Sequence, residues 1–210
     1  MPFRVAVLIS GEGTNLQALL DTVHGRHGVE VAAVAASRPE ARGLARAERV
    51  GVETEVFSLA EHGDRDTRDR RLGDWLEARS IDLVVLAGFM ELLSPAFVRR
   101  FEGRIVNVHP ALLPAFPGVD AIAKAFDYGV KLTGVTVHFV DEGVDTGPIL
   151  LQECLELPYH RDIAEIEERV HEVEHRLLPR AVRLIAEGRV RVDADNPRLI
   201  RIEPAADGSD

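Results

Sequence analysis

Asn107 and His109 close the apolar run Arg104-Ile105-Val106-Asn107-Val108-His109-Pro110, and a glycine-flanked acid follows later in Glu142-Gly143-Val144-Asp145-Thr146-Gly147-Pro148. In a strand, alternate side chains share a face, so the carboxamide of Asn107 and the imidazole of His109 project together where the strand runs out. If Asp145 folds back onto that imidazole, the three groups can stabilise an oxyanion and move a proton, which acyl or formyl transfer requires. That chemistry needs no nucleophilic Ser or Cys, and none is placed for one. At about 4 Å and an effective dielectric near 20, a carboxylate would attract an imidazolium by roughly 4 kcal/mol before desolvation is subtracted. The plain alternative is a structural His beside a proline turn and an Asp that orders only its own loop.

The elements that must position these residues alternate. Short apolar, β-branched runs over 4–9, 30–36, 54–57, 83–86 and 105–108 read as strands. Helical patterns lie between them over 15–24, 40–50, 64–79 and 95–101. Strand and helix in this order imply right-handed crossovers. The expected fold is α/β and Rossmann-like, with a mostly parallel twisted sheet, helices on both faces, and ligands beyond the carboxyl ends of the strands. After His109 come a proline-rich loop, a helix over 119–128, and two longer runs over 132–140 and 149–157 that should pair antiparallel at one side of the sheet. A long helix follows over 162–187, with Ile163, Ile166, Val170, Val173 and Leu177 as its buried stripe and Pro179 marking a bend or break. Runs at 190–192 and 199–202 suggest a small hairpin, leaving one domain over 1–202 and a frayed, flexible tail at 203–210.

A chain of 210 residues can bury one sizeable core, and 46% hydrophobic with 29% charged residues is the balance of a soluble globular protein. No apolar run is long enough for a membrane span or a signal-peptide core, so the expected compartment is the cytoplasm. The formal charge of −10 argues against nucleic acid and anionic membranes as partners. An anionic small ligand must then be met locally, by helix N-termini or by Arg65, Arg68, Arg70 and Arg71, unless those form only a solvated helix face. The single cysteine, Cys154, reads as a buried small hydrophobe in a strand. A homodimer through an exposed edge is compatible with the sequence but specified by nothing in it.

Three further motifs carry chemistry. Ser10-Gly11-Glu12-Gly13-Thr14-Asn15 follows the first strand and opens the first helix, where backbone N–H groups and the helix dipole favour a phosphate. Leu16 replaces the third glycine of a dinucleotide fingerprint, so a single phosphate fits better than a pyrophosphate. The alternative is a tight glycine turn with Thr14 as helix cap. Ser37-Arg38 after the second strand could receive the 2′-phosphate of NADP, which keeps a nucleotide-dependent oxidoreductase in view as a rival, beside an inactive folate- or nucleotide-binding module. His171-Glu172-Val173-Glu174-His175 is a literal H-E-x-x-H, but it lacks a downstream third His and Pro179 follows closely, so zinc catalysis is not expected.

Leu86-Ala87-Gly88-Phe89-Met90, Asn107-Val108-His109-Pro110-Ala111-Leu112-Leu113-Pro114 and Val144-Asp145-Thr146-Gly147-Pro148-Ile149-Leu150 closely resemble, in order and spacing, the phosphoribosylglycinamide formyltransferase family of purine synthesis. Ile9-Ser10-Gly11, Thr14-Asn15-Leu16-Gln17 and Glu174-His175 extend the resemblance over about 3–189. It implies formyl transfer from 10-formyltetrahydrofolate to the amine of glycinamide ribonucleotide, without metal and with small molecules as the only partners. It also implies Asn107, His109 and Asp145 as catalytic residues, and Gly13, Thr14, Asn15 and Glu174 as contacts to the ribonucleotide. On the folate side it implies Arg65, Met90, Glu91, Leu92, Leu93 and Asn107, with the backbone of 140–145 around the pteridine. Four positions depart from the pattern: Glu91 stands where a basic residue is common, Ala111 and Ala115 replace frequent Ser and Lys, and His171 stands where Gln or Lys is frequent.

Overall fold

The computed structural model describes residues 1–157 and 162–205. In chain order its elements are β1 (Phe3–Ile9), α1 (Thr14–Thr22), β2 (Val29–Ala36), α2 (Gly43–Arg49), β3 (Glu53–Val56), α3 (Leu59–His62), α4 (Arg65–Ala78), β4 (Leu83–Leu86), α5 (Pro95–Arg100), β5 (Ile105–His109), α6 (Ala121–Tyr128), β6 (Leu132–Phe139), β7 (Ile149–Glu156), α7 (Ile163–Ala186), β8 (Val190–Val192) and β9 (Ile200–Ile202). Seven strands run in the order β3-β2-β1-β4-β5-β6-β7, and β8 pairs with β9 in a separate two-stranded sheet. Pairing is parallel from β3 through β5, and β6 is antiparallel to β7 at one side. The mostly parallel α/β architecture and the terminal hairpin are as expected. Of the expected tail, 206–210 lies outside the described residues.

The chain forms two compact units, one of residues 1–107 with 140–142 and the other of 108–139 with 143 onward. In the first, β4 and, apart from Arg4, β1 are apolar, and β4 and the last five residues of β1 are buried, as strands covered on both faces require. β3 alternates exposed and half-buried residues, with Glu53 and Glu55 outward, because it is an edge. Ala6, Leu8, Leu72, Leu76, Phe97, Phe101 and Ile105 bring strands, α4 and α5 into one core. The order reverses at β1, which lies between β2 and β4. A crevice opens at such a switch point beyond the strand ends, and here those ends carry residues 10–15 and 87–90.

In the second unit, α7 buries Ile166, Val170, Val173, Leu177 and Leu178 on one stripe. Its start is capped by Asp162, whose carboxylate accepts from Ala164 N. The helix does not break at Pro179: it continues to Ala186 with Pro179 buried inside it. The proline costs one backbone hydrogen bond, and the apolar stripe that continues past it keeps the helix in place. Cys154 is a correction of the other kind. It lies in a strand as expected but is exposed, because β7 ends the sheet and turns Gln152, Cys154 and Glu156 outward. Among the described residues, no helix is long and apolar enough to cross a membrane.

Candidate active site

β5 places Asn107 half-buried and His109 almost fully buried, at 4% exposure, on alternate positions of its last turn of pleat. Asp145 does fold back onto the imidazole: its Oδ2 lies 3.4 Å from His109 Nδ1. It reaches there because its backbone is left-handed, with φ 54°, a conformation Asp tolerates better than most side chains. The other ring nitrogen, His109 Nε2, is 2.8 Å from the Phe116 carbonyl. A carbonyl can only accept, so Nε2 carries a hydrogen and Nδ1 faces the carboxylate. The loop that delivers Phe116 is anchored by Thr136, buried in β6, whose hydroxyl donates to Ala111 O and accepts from Leu113 N at 2.7 and 3.1 Å.

The sequence reading missed a second imidazole. His138, 2% exposed in β6, sets Nε2 3.5 Å from Asp145 Oδ1 and Nδ1 2.8 Å from the Phe139 carbonyl. Gly118 N donates to Asp145 Oδ2 at 2.7 Å. Burial pushes the Asp145 carboxyl upward, but His138, the Gly118 N–H and the charge of His109 together outweigh it and hold the pKa below the usual value. The carboxylate therefore stays ionised between two imidazoles, an arrangement suited to orienting a proton carrier. No local signal in the sequence marks His138, because β6 also carries Thr133 and Thr136 among its apolar residues.

In the first unit the glycine-rich turn ends at Gly13, which caps α1 with φ 71° and no side-chain hydrogen bond. Thr14 is thus the first helical residue rather than the cap. Asn15, the next residue, is buried. Helix α2 braces the turn. Gly43 N donates to Gly11 O at 3.1 Å, and Arg46 Nε donates to Glu12 O at 2.8 Å. The backbones at Gly13 and Gly43 pass so closely that a Cβ on Gly13 would lie 2.7 Å from Gly43 Cα. The sequence reading did not single out Gly43 or Arg46. Ser37 is not exposed to receive a phosphate: its hydroxyl is buried and lies 2.7 Å from Ser10 Oγ.

Met90, Glu91, Leu92 and Leu93 form one loop in the same unit. Met90 and Leu92 are 63% and 62% exposed, whereas Leu93 is half-buried and packs on the core. Arg65 is exposed in the first turn of α4, and no hydrogen bond or ion pair among the described residues joins it to that loop. Arg68 is not a solvated residue. It is fully buried, donates to Asp69 Oδ1 and to Leu92 O at 2.7 and 3.0 Å, and lies 3.5 Å from the Glu91 carboxylate. The acid at 91 is thus matched by a cation from α4.

On α7, Glu174 is buried and accepts from His171 Nδ1 at 2.8 Å, and the rings of His171 and His175 stack. The hydrogen bond that His171 donates to Glu174 raises the His171 pKa, while burial lowers that of His175. Glu172, the glutamate that would act as base in a zinc peptidase, points to solvent, and the second glutamate is engaged with a histidine of the motif. Among the described residues, no group of three or more His, Cys, Asp or Glu side chains is gathered around a metal position.

A family profile described as formyl transferase matches residues 3–182, which includes every one of these sites. The chain belongs to the formyl transferase family. Among formyl transferases, the phosphoribosylglycinamide formyltransferase of Haemophilus influenzae is 39% identical over 90% of this chain and 90% of its own length. That of Bacillus subtilis is 35% identical over 86% and 93%. The crystal structure of glycinamide ribonucleotide transformylase 1 from Symbiobacterium toebii is 44% identical, superposes with a TM-score of 0.91, and covers 96% of this chain and 94% of that one. Longer relatives also match: over 90% of its length the chain is 43% identical to the trifunctional purine biosynthetic protein adenosine-3 of Gallus gallus, but it spans only 19% of that protein. The family match ends before β8 and β9.

Proposed function

We propose that this formyl transferase moves the formyl group of 10-formyltetrahydrofolate to the amine of glycinamide ribonucleotide in de novo purine biosynthesis. The observation that carries the reading is the approach of Asp145 to His109, in the strand that also bears Asn107. The substrate amine attacks the formyl carbon and forms the new C–N bond. Negative charge gathers on the formyl oxygen, where the Asn107 amide and the His109 ring stabilise it. The bond to the folate nitrogen then breaks, and the proton lost by the amine passes to that nitrogen through His109, directly or by way of water. In this reading the His109 Nε2–H that donates to the Phe116 carbonyl turns to the reaction when substrate enters.

Gly13, Thr14 and Asn15 hold the ribonucleotide phosphate with backbone N–H groups at the start of α1, and Glu174 engages the substrate's other end. Folate is bound by Arg65, Met90, Glu91, Leu92, Leu93 and Asn107, with the backbone of 140–145 around the pteridine. The exposed apolar side chains of Met90 and Leu92 fit a flat aromatic ring system. The chain works as one cytoplasmic domain over 1–202 with small molecules as substrates and no metal, nucleic acid or membrane. Light scattering decides whether it pairs through an exposed sheet edge.

The test is to mix the protein with both substrates and follow folate absorbance. Turnover is expected, and Asn107→Ala should lower kcat by about 10²–10³ with a modest change in KM. Binding without turnover in the wild-type chain refutes the reading. Full activity in the variant removes Asn107 from the chemistry.

A further inference from the structure

We infer that the buried hydroxyl pair Ser10–Ser37 is a positioning device that fixes the folate-side loop, residues 88–93, onto the end of β1. The inference rests on the folate reading given above. Ser10 extends β1, which lies between β2 and β4, so it has a neighbour on either side. Toward β4, Ser10 N donates to Gly88 O at 3.0 Å. Gly88 has φ 71°, which turns the chain back and brings Met90 N to Ser10 Oγ at 2.8 Å. Toward β2, Ser37 N donates to Ile9 O at 3.1 Å, and the Ser37 hydroxyl lies 2.7 Å from Ser10 Oγ. Both serines are 5% exposed.

The chemistry of this node is economical. A hydroxyl has one hydrogen and two lone pairs, so Ser10 can accept the Met90 N–H and exchange its remaining bond with Ser37. Met90 presents an exposed side chain while its amide is held by a buried group. The far end of the loop is held separately, since Arg68 binds Leu92 O and Asp69 Oδ2 accepts from Ser94 N at 2.5 Å. Removing the Ser10 hydroxyl therefore frees one end of the loop and leaves the other clamped. The two serines touch no substrate in this scheme. They act through Met90, and Ser37 acts through Ser10.

Amide hydrogen exchange at Met90, read by NMR or mass spectrometry, is paired with steady-state kinetics for both substrates. In Ser10→Ala, Met90 exchange should accelerate about tenfold or more, and the folate KM should rise about five- to tenfold, with kcat within about threefold. Ser37→Ala, which keeps the Met90 acceptor, should show the same pattern at about two- to threefold, and Ser37→Thr, which keeps a hydroxyl, should restore it. Unchanged Met90 exchange in Ser10→Ala overturns the anchor. Accelerated exchange with an unchanged folate KM overturns its role in folate binding. Should the wild-type chain fail to turn over at all, the proposed function falls, while the exchange measurement still judges the anchor.

Discussion

Asp145 is held by geometry that a sequence alone does not display, and its ionisation gives a direct handle on the site. Its pKa lies below the ordinary 3.8, so the support it gives His109 is present through neutral pH and is lost as pH falls through the lowered value. After burial, which acts the other way, the largest influence on that pKa is the hydrogen bond with His138. His138→Phe should therefore let the Asp145 pKa rise and move the acid limb of the kcat/KM profile to higher pH. A limb that stays in place in this variant means that Asp145 does not set it. His171 titrates with the opposite sign. Its pKa is raised above 6.5 by Glu174, so the contribution of that pair to stability is present below 6.5 and is lost as pH rises through the folded-state value. In Glu174→Gln, an NMR titration should find the His171 pKa moved down, and an unmoved value would show that the 2.8 Å contact in α7 does not govern it.

At the scale of elements, the close passage of α2 against the glycine turn sets a steric limit. A Cβ on Gly43 would collide with Ile9 Cδ1 and lie 3.2 Å from Gly13 Cα. Gly43→Ala should cost about 1–3 kcal/mol of stability, measurable by denaturant unfolding, and should weaken ribonucleotide binding because the turn shifts. Wild-type stability and an unchanged ribonucleotide KM would show that the turn yields freely. Strands and helices here were readable from periodicity to within a few residues, since apolar runs such as 83–86 leave little choice. What escaped depended on partners distant in sequence. Arg68 belongs to an arginine-rich stretch that looks solvated, and its complete burial is accounted for by Asp69 beside it, the Glu91 carboxylate and the carbonyl of Leu92. Gly43 shows no glycine motif, because the contact that needs it lies on β1 and the turn after it. Helix α3, only four residues long, is too short for any period to appear. Asn107, His109 and Asp145 could be read because strand alternation and a glycine-flanked acid are local patterns, whereas His138 enters by folding alone.

For the whole molecule, the charge of −10 meets two anionic substrates in the proposed reaction, and the balance of two opposing effects decides the response to salt. Contacts between ligand anions and side-chain cations weaken as salt rises. Repulsion of an anion by a net negative protein also weakens, and that favours binding. In this chain the turn assigned to the phosphate offers backbone N–H groups, while the nearby Arg42 is paired with Glu12 at 3.1 Å and Arg46 is spent on Glu12 O and Gln17. Long-range repulsion should then dominate at low ionic strength, where the Debye length is about 30 Å, and fade near 0.15 M, where it is about 8 Å. The expected result is that kcat/KM for the ribonucleotide rises about two- to threefold over that range. Specific effects are separated by repeating the series with two salts of different anions at matched ionic strength. A fall in kcat/KM with salt would mean that side-chain cations, rather than the helix terminus, carry the recognition of the phosphate.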